Sequence, residues 1–448
     1  MGNPATIFIS IASYRDPQLI PTLQDMLRHA SQPERLNIAV CWQDDEDLSL
    51  FTRHGFVPMG SRHVAGHEAF IFSFQQARIE LISVHYYASH GACWARSLAE
   101  SLFEAADYFL QIDSHCRFIP GWDNEMITTL RQLAATSPRP VLSSYPPAFV
   151  PGEDEEASKK RYVSRLIFRE FNPQGLPMFS STPFESPEPV RGSYLAGGFI
   201  FTRGDFVKEI PNDPQIFFAG EEIAMAVRAF SHGYDIYHPH KPLLWHYYQR
   251  KEHNKVWGDH TNQAKQQGSV EKAWWERDAA SKKRVRTVLG LESEPEGGLA
   301  PYGLGKIRTL EQFEYQAGIC LKNGTVLPEV MAEDKVNFFS DPPADHAEWL
   351  RRQYAWHKKT LTLSKTDYEA DNSDVSALHI SVYNQQNELF HRQTLTRSEL
   401  HELRQKTSTE DISLPVEFKT TSLSKPGSIR LCTWSDSLGW GTVTEKTW

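Results

Sequence analysis

Unbroken apolar runs alternate with segments of helical spacing through the first half of the chain. Thr6 to Ala12 is short, apolar and β-branched, which predicts a buried first strand. Asp16 and Pro17 follow as a helix N-cap and first helical residue, and Leu19, Leu23, Met26, Leu27 and Ala30 recur at helical spacing. A second strand is expected over Asn37 to Trp42, and this β-α-β start implies a parallel sheet. Gly91 to Ala106 reads as a helix feeding the strand Tyr108 to Ile112, and Trp122 to Ala135 as another leading to Val141 to Tyr145. The proline-rich stretch 146–190 reads as a long surface excursion. Regular structure resumes over Tyr194 to Thr202. A helix follows from Gly220 to His232, with Ile223, Ala226, Val227 and Phe230 on its core face and Gly233 as its C-cap. Short strands are expected around Asp235 to His238 and Pro242 to Tyr247, then a long helix over Gln267 to Leu289. Beyond about Thr360 the texture becomes alternating, as in Ala377 to Tyr383 and Ser428 to Trp434, which fits a small β-sandwich. The expected organisation is an α/β domain over 1–335 and a β-rich accessory module over 345–448.

Composition narrows the function classes. The chain has 448 residues and a formal net charge of −9, so there is no global basic field for nucleic acid. No run approaches the ~20 apolar residues of a membrane span. Met1 to Pro4 lead directly into the first strand with no basic or apolar leader. Five cysteines in no metal spacing read as reduced thiols, and the expected location is the cytoplasm.

The most informative motif is Asp113-Ser114-His115 at the end of an apolar strand. That position lies at the carboxyl edge of the sheet, where α/β proteins bind ligands. Strand alternation puts Asp113 and His115 on one side, with Ser114 facing away. A mixed O/N pair suits Mn²⁺ or another divalent cation holding a diphosphate. His246, emerging from Leu243-Leu244-Trp245, is the leading third ligand, ahead of His238 and His240. Glu221 and Glu222 open a helix and are the candidate catalytic carboxylates. Glu221 is expected to face the site and Glu222 to border the buried stripe. Ala196-Gly197-Gly198 offers a bare backbone to a ligand, and Arg96 is a candidate diphosphate contact.

In this order the motifs resemble a known family, the cytosolic polypeptide N-acetylglucosaminyltransferases that modify hydroxyproline. The resemblance rests on Ile9 to Asp16, Val40 to Gln43, Gln111 to His115 with Arg117-Phe118, Trp245 to Tyr248, and Tyr302 to Gly305 with Arg308 to Leu310. It covers about residues 5 to 330. More distantly the chain is similar to the mucin-type polypeptide N-acetylgalactosaminyltransferases, which carry D-S-H, A-G-G-[LF], G-E-N and a later histidine in the same order. The asparagine of G-E-N is Glu222 here, and the C-terminal region lacks the Q-x-W lectin pattern. The resemblance implies a GT-A nucleotide-sugar domain with Asp113, His115 and His246 on the metal. Ser13, Tyr14, Arg15, Arg96, Asp113, Ser114, Ala196, Gly197 and Gly198 would lie along the UDP-sugar. The implied reaction is metal-dependent, retaining transfer of a sugar, GlcNAc favoured, to a polypeptide hydroxyl. The alternatives are a glycan or small-molecule acceptor, or a non-catalytic sugar- or peptide-binding protein on the same scaffold.

Overall fold

A computed structural model describes residues 5–368, 374–405, 411–421 and 424–448. Met1 to Pro4, read above as continuous with the first strand, lie outside them. The chain forms two compact units, one of 1–322 with 329–342 and one of 323–328 with 343–448.

The first unit is α/β, built on a ten-stranded sheet. Across it run Val190–Gly192, Asp235–His238, Pro140–Ser143, Phe199–Arg203, Tyr108–Asp113, Ile7–Tyr14, Leu36–Gln43, Ala77–Val84, His67–Phe74 and Val57–Val64. Ile7–Tyr14 lies parallel to Leu36–Gln43 on one side and to Tyr108–Asp113 on the other, as the apolar runs imply. Burial on both faces explains why those runs do not alternate. Ile9, Ile11, Val40, Leu110 and Ile112 are fully buried in one continuous core. The sheet is mixed, not purely parallel. Phe199–Arg203 is antiparallel to Tyr108–Asp113, and Val57–Val84 adds an antiparallel meander at one edge.

That mixed topology sets the site. The ends at Tyr14, Asp113 and Ser143 share one edge with the start of the antiparallel strand at Phe199. A separate short ladder pairs Leu244–His246 with Cys116–Phe118, so His246 sits opposite Cys116, beside His115.

Several local expectations are corrected. The helix expected over Gly91 to Ala106 spans Ala92–Glu100, and tight turns after it free the chain to enter the next strand. The helix expected over Gln267 to Leu289 spans Trp274–Val288. Gly268 at φ +75° ends a shorter helix, Asn262–Gln266, and the Glu276 carboxylate accepts from Ala273 N (2.9 Å) to start the next. The excursion over 146–190 contains a hairpin, Val163–Phe171 with Pro177–Phe184, whose Leu166 and Phe168 are buried. Its turn is fixed by Asn172 Oδ1, which accepts from Gln174 N and Leu176 N, both at 3.0 Å. Gly197 and Gly198 lie in a turn ahead of the strand Phe199–Arg203 and not within it.

In the second unit Tyr354–Leu363 pairs with Ile412–Thr420, and Val375–Asn384 lies between Leu389–Thr396 and Pro426–Ser435. The alternating apolar positions of these two sheets, among them Leu361, Leu378, Ile380, Leu414, Val416 and Ile429, make one core. That is a sandwich arrangement. Trp448 packs against this core, whereas Trp440 is 61% exposed and lies 5.0 Å from Trp434.

Candidate metal and nucleotide-sugar site

Asp113, His115 and His246 converge at the sheet edge, their ligand atoms all within 4.8 Å of one another. His246 Nε2 is 3.0 Å from His115 Nε2 and 3.1 Å from Asp113 Oδ2, and His115 Nε2 is 3.8 Å from Asp113 Oδ2. Neighbouring ligands of an octahedral ion with bonds of about 2.1 Å lie about 3 Å apart, so the spacing fits one divalent cation. Two imidazoles and a carboxylate are a mixed N/O donor set of borderline hardness, suited to a divalent first-row metal ion.

The expectation that Ser114 faces away from His115 is corrected. The strand ends at Asp113, and the bend after it turns both Ser114 and His115 onto Asp16. Ser114 Oγ donates to Asp16 Oδ2 at 2.6 Å and His115 Nδ1 lies 2.7 Å from the same oxygen. A carboxylate only accepts, so the imidazole proton is on Nδ1 and the Nε2 lone pair points into the cluster. Arg250 also approaches this pair, with Nη1 3.2 Å from His115 Nε2 and Nη2 3.1 Å from Asp16 Oδ2. Burial alone would raise the Asp16 pKa, but His115, Arg250 and Ser114 outweigh it and hold the carboxyl below its usual range. Asp16 was read from sequence as a helix cap. That expectation is corrected: the helix spans Leu19–His29 with Gln18 at its N-cap, and Asp16 Oδ1 accepts from Gln18 N at 3.0 Å only in the turn before it. Asp16→Asn should weaken Mn²⁺ binding about 10–100-fold, the usual cost of removing such a partner, measured by calorimetric titration. Unchanged affinity would remove Asp16 from the site.

Arg96 is buried on the helix Ala92–Glu100 and joins two site carboxylates. Its Nη2 donates to Asp113 Oδ1 at 3.0 Å and its Nη1 pairs with Glu221. Burial opposes ionisation of Asp113, yet His246, Arg96 and His115 keep its pKa well below the ordinary value. The glycine pair makes this packing possible. A Cβ on Gly198 would lie 2.7 Å from Asp113 Oδ2, and one on Gly197 would collide with the Glu221 carboxylate. The bare backbone expected to admit a ligand thus admits two carboxylates. Ala196 is fully buried beside them, its N–H donating to Ser143 Oγ at 2.8 Å.

The two glutamates differ in how they are covered. Glu221 is 4% exposed and paired with Arg96, while Glu222 is half-buried. Glu222 Oε1 accepts from Gly197 N at 3.1 Å and Oε2 from Tyr145 OH at 2.6 Å. Burial, with Glu221 beside it, pushes the Glu222 carboxyl up to about 7. Tyr145 carried no signal in the sequence beyond ending a strand.

At the far side Ser13 is fully buried, whereas Tyr14 and Arg15 both reach Asp259. Tyr14 OH donates to Asp259 Oδ2 at 2.8 Å, and Arg15 Nη1 lies 3.1 Å from Oδ1. Arg15 also stacks over Tyr86 at 4.1 Å and has φ +44°. A left-handed non-glycine costs about 1–3 kcal/mol, strain that collects at binding sites. His238 is excluded as a ligand. It is a buried core histidine, Nδ1 2.7 Å from Ser143 O and Nε2 3.3 Å from Asn337, and burial lowers its pKa to about 4. His240 stands outside the cluster as well. Among the described residues no helix is long and apolar enough to cross a membrane.

The family model described as Glycosyltransferase (GlcNAc) matches residues 6–57 and 57–322. No curated protein sequence matches the chain. Among solved structures, GalNAc-T7 with UDP, GalNAc and Mn²⁺ aligns at TM-score 0.43 and 12% identity, over 70% of this chain and 56% of its own. The chain therefore spans little more than half of that protein. S. aureus TarS 1-349 in complex with UDP aligns at TM-score 0.39 and 9% identity, over 78% of each chain. S. aureus TarS aligns at TM-score 0.35 and 10% identity, over 99% of this chain and 77% of its own. Likenesses this distant bear on neither ligand nor reaction.

Proposed function

This chain belongs to the GlcNAc glycosyltransferase family, and on that premise we propose that it transfers GlcNAc from UDP-GlcNAc to a polypeptide hydroxyl with retention of configuration. The first unit serves as a GT-A nucleotide-sugar domain, and the second positions the acceptor or a partner. The observation that carries the reading is the convergence of Asp113, His115 and His246 on one point at the ligand-binding edge of the sheet.

Those three residues hold a divalent cation, Mn²⁺ favoured. A cation held there would supply Lewis-acid neutralisation of diphosphate charge. The chain's own groups do the rest. Arg96 pairs with both Asp113 and Glu221 and turns their carboxylates inward. Tyr14 and Arg15, anchored on Asp259, bound the nucleotide end together with Ser13, and Ser114 tightens the His115–Asp16 contact. Glu222 is the half-exposed carboxylate of the pair and receives a hydroxyl of the donor sugar. Glu222, the carboxylate that meets the donor sugar in this reading, is already held by two donors. Double displacement is therefore disfavoured, and the acceptor hydroxyl attacks from the face that UDP leaves, its proton passing to the departing phosphate. Cytoplasmic action is supported by Cys41, Cys93 and Cys116, buried thiols without a disulfide.

The test is a donor panel. UDP-GlcNAc, UDP-glucose, UDP-galactose and UDP-GalNAc are each incubated with the protein and Mn²⁺, with and without EDTA, and free UDP is measured. UDP-GlcNAc should be hydrolysed fastest, and EDTA should abolish the signal. Preference for another sugar overturns the donor, and EDTA-resistant release overturns the metal.

A further inference from the structure

The segment Tyr145 to Phe149 links parts of the site that are far apart in sequence. Tyr145 OH donates to Glu222 Oε2 at 2.6 Å. Immediately afterwards the backbone pairs with the ligand strand: His246 N donates to Pro147 O at 3.0 Å and Phe149 N to His246 O at 3.2 Å. Tyr248 OH donates to Pro146 O at 2.7 Å, fixing the strap from its other side. Pro146 and Pro147 stiffen it, since each proline fixes φ. One short segment thus orients both a metal-binding histidine and the half-exposed glutamate.

From this geometry we infer that Tyr145 is a positioning residue for Glu222, aligning its carboxylate for a hydroxyl of the donor sugar. The inference rests on the reading that Glu222 meets that sugar. With Gly197 N on Oε1 and Tyr145 on Oε2, each oxygen has one lone pair engaged and one left to accept from a ligand. Four titratable or charged groups face Glu222. Tyr145 and Tyr248 come from the strap and the ligand strand, Arg96 from the neighbouring helix, and Glu221 from its own helix. Burial and Glu221 favour the protonated acid, whereas Tyr145, Gly197 and Arg96 favour the anion. Removing the phenol hydroxyl therefore moves the carboxyl further up, because a donor to the charged form is lost.

The experiment follows hydrolysis of UDP-GlcNAc with Mn²⁺ across neutral pH for wild type, Tyr145→Phe, Glu222→Gln and the double variant. Wild type should lose activity below about pH 7, where Glu222 takes up a proton. Tyr145→Phe should stay folded, keep its Mn²⁺ affinity and move that acid limb up by about one pH unit. A 3,5-difluorotyrosine at position 145, a stronger donor in the same ring, should move it the other way. Glu222→Gln, whose amide can still pair with Gly197 and Tyr145, should abolish the limb, and the double variant should match it. A uniform loss at every pH in Tyr145→Phe, a limb that both ring substitutions leave in place, or additive effects in the double variant would each overturn the inference alone. A wild type without turnover would instead overturn the functional reading, and this inference with it.

Discussion

His246→Ala should reduce UDP-sugar hydrolysis by at least about 100-fold. Loss of a residue that only orients a metal ligand already costs about 10–100-fold, so loss of the ligand itself sets that as a floor. The fold should survive, because His246 is tied to its neighbours through backbone bonds to Pro147 and Phe149 that an alanine retains. Millimolar Mn²⁺ should recover part of the activity, since Asp113 and His115 remain. The measurement is UDP release against Mn²⁺ concentration, with a thermal melt alongside. Wild-type turnover at low Mn²⁺ would show that His246 is not a ligand.

Arg96→Met should destabilise the protein by about 3–5 kcal/mol, the usual cost of leaving buried charge unpaired. Arg96 is buried, and its loss leaves the buried Glu221 and the partly exposed Asp113 without their shared counter-ion. The pH dependence follows from the sign of the Asp113 shift. Its folded pKa lies below the unfolded one, so the network contributes stability at neutral pH and loses it as pH falls through the folded value. Without Arg96 that folded value rises, and acid unfolding should begin at higher pH than in wild type. Urea melts at pH 7 and pH 5 measure both effects. Arg96→Met combined with Glu221→Gln should recover part of the loss, because one of the two stranded charges is gone. A single variant as stable as wild type would mean that water reaches these carboxylates and that Arg96 is not their counter-ion.

Much of the site was legible because its parts are short-range patterns. An apolar run ending in Asp113-Ser114-His115 states both a buried strand and what it delivers to its end. Ile7–Tyr14 and Leu36–Gln43 were readable for the same reason, as largely apolar runs buried on both faces. His246 could be nominated from its apolar strand, although the 3.0 Å approach to His115 depends on a two-strand ladder that no local pattern encodes. The hairpin Val163–Phe171 with Pro177–Phe184 was missed because its prolines and charges looked like surface, and its burial comes from packing by distant elements.

The sequence by itself determined the apolar strands, the helices between them, the donor types on one sheet edge and the alternating texture of the second unit. Each of these follows from residue chemistry and a repeat of 2 or 3.6, which are local. Only the tertiary structure decided which donors meet and which charges cancel. Asp16 became the partner of His115, Glu221 turned inward onto Arg96, and Glu222 was left half-exposed beside Tyr145. Helical phase gave the angle between the two glutamates but not which side would be covered. That depended on Gly197 and Gly198, whose missing side chains let Glu221 and Asp113 close onto the backbone.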